Sequence, residues 1–498
     1  MDRQFIILFV IGAYMLAMII VGLYYSRTNN TVSDYVLGGR SLNSWVTALS
    51  AQASDMSGWL LTGLPGLAYL SMAGFKEAFW TATGLAIGTL LNWLFIAKRL
   101  RSFTEIFGDS LTLPDYFRNR FRDTGKTLKI VTALAISIFF LVYTSSMFVT
   151  GAKMFNSIFG MEYTIGLLVT SFVIIVYTFF GGFRAVCVTD SIQGMLMFFA
   201  LVFIPFAVIH ACGGTTATFA NIDPANFNFF PNGDGSVTTL LIVSALAWGL
   251  GYFGQPHIIV RFMAINKPSD VNKSTIVAMI WVIITLTAAV MGGLFGTAYF
   301  ANDPLAAGTH ETVLIVMANK MFSPALTGIF LSAVLAAVMS TAASQLLVTS
   351  SALASDIYKT VFRPHAGEGE ILLVNKLSVL AVSAIAIYLS FDPNSSIFGI
   401  VSNAWAGLGA SFGPVVVLSL YWKHITKNGA IAGVITGAVG TIVFHSLKQL
   451  GGIFAVYELL PAFILSLIMI VVVSKLGKPN DASIERDFDR AVEFSKTK

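Results

Sequence analysis

The sequence predicts an all-α membrane protein of about thirteen transmembrane helices, on three observations. Of its 498 residues, 56% are hydrophobic and 11% are charged, whereas a soluble domain carries about 25% charged residues. Apolar segments of about 20 residues, the length that crosses a bilayer, recur from end to end. Lysines and arginines gather in alternate connections between those segments. Such a chain cannot cover itself with polar surface, so its length does not divide into soluble domains. It reads as one polytopic unit over 1–498.

The first segment, about 5–25, follows Asp2 and Arg3, spans fully and meets no small-residue cleavage pattern. It reads as a retained helix and not as a signal peptide. The second, about 45–70, contains ALSAQASDMSGWLLTGLPGLAYL. Ser54, Asp55, Ser57 and Gly58 lie near its middle, and Gly63, Pro65 and Gly66 follow. A carboxylate at that depth costs about 2.5–3.5 kcal/mol, and Gly58 weakens the helix where the polar groups gather. Segments three to six follow at about 77–97, 128–151, 162–181 and 188–211. The seventh, about 237–262, contains SALAWGLGYFGQPHIIVRF. Gly249, Gly251, Gly254 and Pro256 interrupt it, and Pro256 lacks an N–H and so frees a carbonyl.

The eighth segment is about 275–300 and the ninth about 323–355. The ninth is dense in Ser332, Ser340, Thr341, Ser344 and Gln345. Two readings stand for it. Small hydroxylated residues pack membrane helices together, and hydroxyls are also hard oxygen donors suited to an alkali cation. Ser340 and Thr341 project about 100° apart, so both can line one edge of a cavity. The last four segments are about 371–390, 397–421, 428–447 and 453–474, followed by a polar tail, 475–498.

Charge placement orients the chain. With the N-terminus outside and the C-terminus inside, one face collects Lys98, Arg99, Arg101, Arg118, Arg120, Arg122 and Lys126 after segment three. Arg184, Lys267, Lys273, Lys359, Arg363, Lys423 and Lys427 fall on the same face, as do Lys475, Lys478, Arg486 and Arg490 of the tail. The long loop at 213–236 holds Asp223 and Asp234 and no cation. The net charge of +5 is thus a topology signal and gives no reason to expect nucleic acid. Cys187 and Cys212 are too few for a disulfide framework or a thiolate metal site.

The two interrupted segments stand five apart, so the second runs through the bilayer opposite to the first. Interrupted helices at matching places of two inverted halves, segments 2–6 and 7–11, point to a secondary transporter with a central site. The repeat core spans about 45–421, with two further helices to about 474.

The runs LGGRSL, SDMSGWLL with GLPG, LTLPDYF, GGFRAV, WGLGYFGQPHI and LAAVMST resemble the sodium/solute symporter family, in its bacterial proline-carrying branch, over about residues 5–475. The resemblance implies a leucine-transporter-like 5+5 inverted repeat in the bacterial inner membrane. It implies sodium-coupled uptake of L-proline, with sodium as co-transported ligand and no organic cofactor or obligate protein partner. The implied sodium ligands are the carbonyls of Ala53, Met56 and Ala337 and the hydroxyls of Ser340 and Thr341. Asp55 and Asp190 are the implied ion-coupling carboxylates. For Asp55 the alternative is a structural ion pair or helix cap, and for Asp190 a solvated loop acid. Ser57, Trp59, Gly63, Tyr143, Trp248, Tyr252 and Pro256 are the implied solute residues. Gln52 stands where the family pattern has Gly, and Ala343 where it has Ser.

Other classes fit less well. A relative could carry another compact amino acid, a betaine or a carboxylate. A sensor needs an output domain, which the tail is too short to form. An enzyme is not expected: the six histidines are scattered, with no HExxH pair and no phosphate-binding GxxxxGK run.

Overall fold

A computed structural model of the protein describes residues 2–26, 31–231 and 238–497. Asp234, the first residue of the expected seventh segment and the last residue of the tail lie outside them. α1 (Arg3–Ser26) crosses first, and α2 (Val32–Leu37) lies in the connection after it. The second crossing is in three pieces, α3 (Ser44–Asp55), α4 (Gly58–Leu61) and α5 (Gly63–Leu70). α6 (Met72–Leu91) passes through a π-helical stretch, Asn92–Ala97, into α7 (Lys98–Ile106). α8 (Leu113–Arg120) packs beside α9 (Thr127–Phe159), and α10 (Tyr163–Ala211) follows.

After α11 (Thr215–Ala220), the seventh crossing is α12 (Thr239–Leu246), a 3₁₀ stretch Ala247–Gly254, and α13 (Pro256–Ala264). Next come α14 (Val271–Tyr299), α15 (Val313–Met321) and α16 (Pro324–Ser351), which continues as π-helix through Ala352–Phe362. α17 (Glu368–Leu389), α18 (Ile397–Tyr421), α19 (Lys427–Leu447) and α20 (Leu459–Leu476) cross in turn. The amphipathic α21 (Ala482–Thr497) folds back on α7, where Phe488 meets Phe103 edge-on at 5.4 Å.

Ten helices among the described residues are long and apolar enough to cross a bilayer. α10 covers what the sequence divides into two segments. Only Gly182 departs from helical angles there (φ 68°, ψ 177°), a conformation open to glycine. The GGF run therefore joins two helices directly across a kink, the two expected segments, with no loop between them. α16 and α18 are the most buried crossings. α1 and the C-terminal half of α10 instead expose Phe9, Leu16, Phe199, Phe203 and Phe206, as a lipid-facing surface requires.

The two broken crossings are antiparallel. Leu42, just before α3, pairs with Ile265, just after α13, through Leu42 N–H to Ala264 O (3.3 Å) and Asn266 N–H to Leu42 O (2.9 Å). The start of one thus sits at the end of the other, as an odd offset between inverted halves demands.

Candidate ion and solute site

Asn43 starts α3 by accepting the Val46 N–H, and the helix stops at Asp55. Met56 leaves the helical region (φ −79°, ψ 65°), and Ser57 is extended and caps α4. The carbonyls of the last turn of α3 therefore lack the partners that a continuing helix would supply. α16 packs against this break. Ser340 Oγ donates to Ala53 O at 2.7 Å and lies 3.2 Å from Ala337 O. Thr341 Oγ1 donates to Ser54 O at 2.9 Å and lies 3.4 Å from Ala53 O. Ala53, Ala337, Ser340 and Thr341 thus converge on one point, with Met56 at the break beside them. All the groups are neutral oxygens in a buried setting, the donor set that suits a hard cation. Ala343, fully buried one turn away, supplies no oxygen.

Asp55 is fully buried. Its Oδ2 accepts the Tyr252 hydroxyl at 2.6 Å, and its Oδ1 has no hydrogen-bond partner among the described residues. No cationic side chain pairs with it there, so the ion-pair alternative fails, and as the last residue of α3 it is no N-cap. Gln52, one turn back, also leaves Oε1 without a partner.

Asp190 is no solvated loop acid. The second helix of α10 begins directly after the Gly182 kink, so Asp190 lies on a helix inside the protein and is fully buried. Arg261 Nη2 stands 3.1 Å from its Oδ2, Ser50 Oγ donates at 2.7 Å and Ser54 Oγ at 3.1 Å. Ser54 and Ser344 hydroxyls lie 3.0 Å apart, and Arg261 also reaches Ser344 and the His257 carbonyl. This network sits beside the Ala53–Ser340 contact. Arg261 was readable as a cation inside an apolar string, but nothing in the sequence named its partner 71 positions away.

The expected solute residues surround the same break. Trp59 and Trp248 have ring centroids 6.3 Å apart. Tyr143 on α9 is buried with its hydroxyl unpartnered among the described residues, 5.9 Å ring to ring from His257. Gly63 starts α5 where Phe398 of α18 comes close. Pro256 occupies the first turn of α13 and does not kink a continuous helix; the break falls at Gln255 (φ −91°, ψ 101°) before it. That is the position where a missing N–H costs nothing. At Gly251 a Cβ would stand 1.9 Å from Trp405 Nε1, so glycine is required for the 3₁₀ stretch to approach α18.

Residues beyond the sequence expectation complete the surround. Trp248 stacks on Tyr457 (5.0 Å, 18°) and meets Phe398 at 5.1 Å. Next to Phe398, Glu311 accepts from the Phe398 N–H and Ser396 Oγ (3.0 Å each) and from Lys153 (2.8 Å). His257 is fully buried with both ring nitrogens unpartnered among the described residues.

Residues 35–437 match the sequence profile of the sodium:solute symporter family. The chain is 45% identical to the osmoregulated proline transporter OpuE of Bacillus subtilis, covering 94% of each chain. It is 45% identical to the high-affinity proline transporter PutP of the same organism, covering 95% of this chain and 98% of the relative. A sodium/proline symporter of Staphylococcus aureus is 43% identical, covering 98% and 96%. The chain belongs to the sodium:solute symporter family. Among solved structures, a sodium-coupled sialic acid symporter superposes with TM-score 0.78 at 20% identity, covering 96% of this chain and 100% of that one. The nucleobase-cation symporter Mhp1 superposes with TM-score 0.54 at 12% identity, covering 91% and 98%. This symporter-family chain is therefore a multi-pass membrane protein with the leucine-transporter-like fold.

Proposed function

We propose that the protein takes up L-proline by sodium-coupled alternating access across the bacterial inner membrane, N-terminus outside and C-terminus inside, as one transporter domain. The observation that carries this reading is the convergence of Ser340 and Thr341 on the carbonyl end of α3, beside an unpaired Asp55. Full-length relatives named as proline transporters supply the cargo.

Sodium takes the place of the hydroxyl hydrogens. Ser340 and Thr341 rotate their lone pairs inward, and the carbonyls of Ala53, Met56 and Ala337 complete the shell. Asp55 supplies the compensating negative charge one residue from the ion. Fixing the α3–α4 break in this way orders Ser57, Trp59 and Gly63 for the solute, so sodium and solute raise each other's affinity by the same factor. Backbone N–H groups at the start of α4 meet the proline carboxylate. Trp59, Trp248, Tyr252 and Tyr143, with Pro256, enclose the ring and its secondary ammonium. Asp190, held by Arg261, tunes the ion path beside the site.

Proline is a neutral zwitterion, so one sodium per cycle moves one charge. That charge contributes about 2.3 kcal/mol per 100 mV, and a tenfold sodium gradient adds about 1.4 kcal/mol. Together they support roughly 500-fold accumulation.

Uptake of radiolabelled L-proline into proteoliposomes tests the reading. Accumulation with inward sodium and none with choline is expected. Sodium-driven uptake of a different zwitterion, with proline neither transported nor competing, would overturn the cargo.

A further inference from the structure

A cavity of about 440 Å³ opens on the face where the cations gather. It lies between α2, α8, the start of α9, the π-helical end of α16 and the connection to α17. At its inner wall Lys129 of α9 bridges Asp115 of α8 and Asp356, at 3.1 Å from each. Asp356 is fully buried; its Oδ1 also accepts from Thr112 Oγ1 at 3.1 Å, while its Oδ2 has no partner among the described residues. Ser355 Oγ, on the same wall, is buried and likewise unpartnered. Arg118, half-buried, and Lys359, exposed, line the mouth and form no ion pair among the described residues. A narrower cavity shares Val36, Leu111, Thr112 and Asp356 with the first and reaches inward to Pro256.

We propose that this vestibule is a second solute site, independent of sodium, that holds a zwitterionic amino acid on its way between Pro256 and the cytoplasm. The ammonium lies on Asp356 Oδ2 and Ser355 Oγ, and the carboxylate faces Arg118 and Lys359. An anion entering here meets the carboxylates of Asp356 and Glu368, and a cation meets Lys126, Lys129, Arg118 and Lys359. A molecule bearing both charges a few bonds apart satisfies each in turn. Its size fits: cavities that hold small ligands start at about 300 Å³. Sodium does not touch this site, because Asp356 is fifteen residues beyond Thr341 on the same helix, about 22 Å along its axis. The cargo named here rests on the proposed function.

Equilibrium binding of radiolabelled L-proline to the full-length protein in nanodiscs, in sodium and in choline, tests the site. Asp356→Asn would strand Lys129 between unequal partners and endanger folding, so the informative variant is Arg118→Gln with Lys359→Gln. Wild type is expected to bind one proline per chain weakly in choline and a second, tighter one in sodium. The double variant should lose about tenfold or more of the choline-phase affinity, the worth of a charge-assisted contact, and keep the sodium-dependent phase. A sodium-dependent phase with no saturable binding in choline, or a choline phase untouched by the double variant, overturns the vestibule site. If proline binds in neither medium while glycine betaine shows both phases, the vestibule stands and the proline assignment falls.

Discussion

Removing the two hydroxyls that α16 presents to α3, as Ser340→Ala with Thr341→Val, isolates the proposed ion shell. In the present arrangement each hydroxyl makes one close bond to an α3 carbonyl, at 2.7 and 2.9 Å. Without an ion, each loss costs about 1 kcal/mol of helix–helix attachment, which leaves a well-packed membrane protein folded. With an ion bound, each loss removes a contact to a charged centre, worth about 1.5–3 kcal/mol. One substitution should therefore raise the sodium concentration for half-maximal uptake roughly 10- to 150-fold, and the pair should abolish coupling at attainable sodium. Thr341→Ser keeps the oxygen and should stay within about threefold. The assay is initial-rate uptake of labelled proline against sodium concentration, normalised to protein reconstituted. A double variant whose sodium dependence matches wild type would remove α16 from the ion site, whatever its maximal rate.

Three further outcomes follow from the surrounding geometry. Asp55→Asn preserves shape but removes the charge beside the ion, and should raise the sodium requirement at least about tenfold; an unchanged sodium curve would leave Asp55 with only its Tyr252 bond as a role. Arg261→Gln strands a buried carboxylate at Asp190 and should cost about 3–5 kcal/mol of thermal stability, most of it restored by adding Asp190→Asn; strictly additive losses in that double-mutant cycle would mean the two groups are uncoupled. Burial alone pushes the Glu311 carboxyl up, but Lys153 and the Phe398 and Ile397 N–H groups outweigh it and hold the group below its ordinary value. A depressed folded pKa gives stability that is complete above the unfolded value, about 4.3, and is lost as pH falls through the lower folded one. The difference in melting temperature between wild type and Glu311→Gln should then be flat from about pH 8 to 5 and shrink toward zero below about pH 4; a difference that widens on acidification would contradict the sign.

Much of the fold was legible because each crossing announces itself by length and apolarity, and because cations mark one face. The breaks were legible as regions: the helix stops at Met56–Ser57, just before Gly58, and at Gln255, just before Pro256. Composition could not tell a proline that kinks a helix from one that starts it, since both read as the same residue in the same string. Nor could it tell a loop from a kink at GGF, where Gly182 alone leaves helical angles and two helices meet directly. A solvated loop acid stood as the alternative for Asp190 for that reason, and its pairing with Arg261 depends on a contact between helices far apart in sequence. The vestibule was the least legible feature, since Lys129, Asp115 and Asp356 come from three segments and each reads alone as an ordinary residue near a helix end.

α16 ties these features together mechanically. Ser340 and Thr341 hold α3, Ser344 touches the Arg261–Asp190 pair, and Asp356 holds Lys129, all on one helical rod. The first two junctions lie about 6 Å apart along the axis, and the third about 18 Å farther on. A rigid α-helix transmits displacement over that distance, so a tilt of α16 away from α3 disturbs the ion shell and the buried pair together. The last junction lies in the π-helical stretch Ala352–Phe362, where the wider turn departs from the regular bonding ladder. The regular ladder that carries Ser340 thus ends before Asp356. On the proposed assignment, sodium can bias the inner mouth only by binding one arrangement of α16 more tightly than the other. The π-helical segment is then where that bias becomes partial, and restoring a regular α-helix there by deleting one residue should tighten the link between sodium occupancy and solute release.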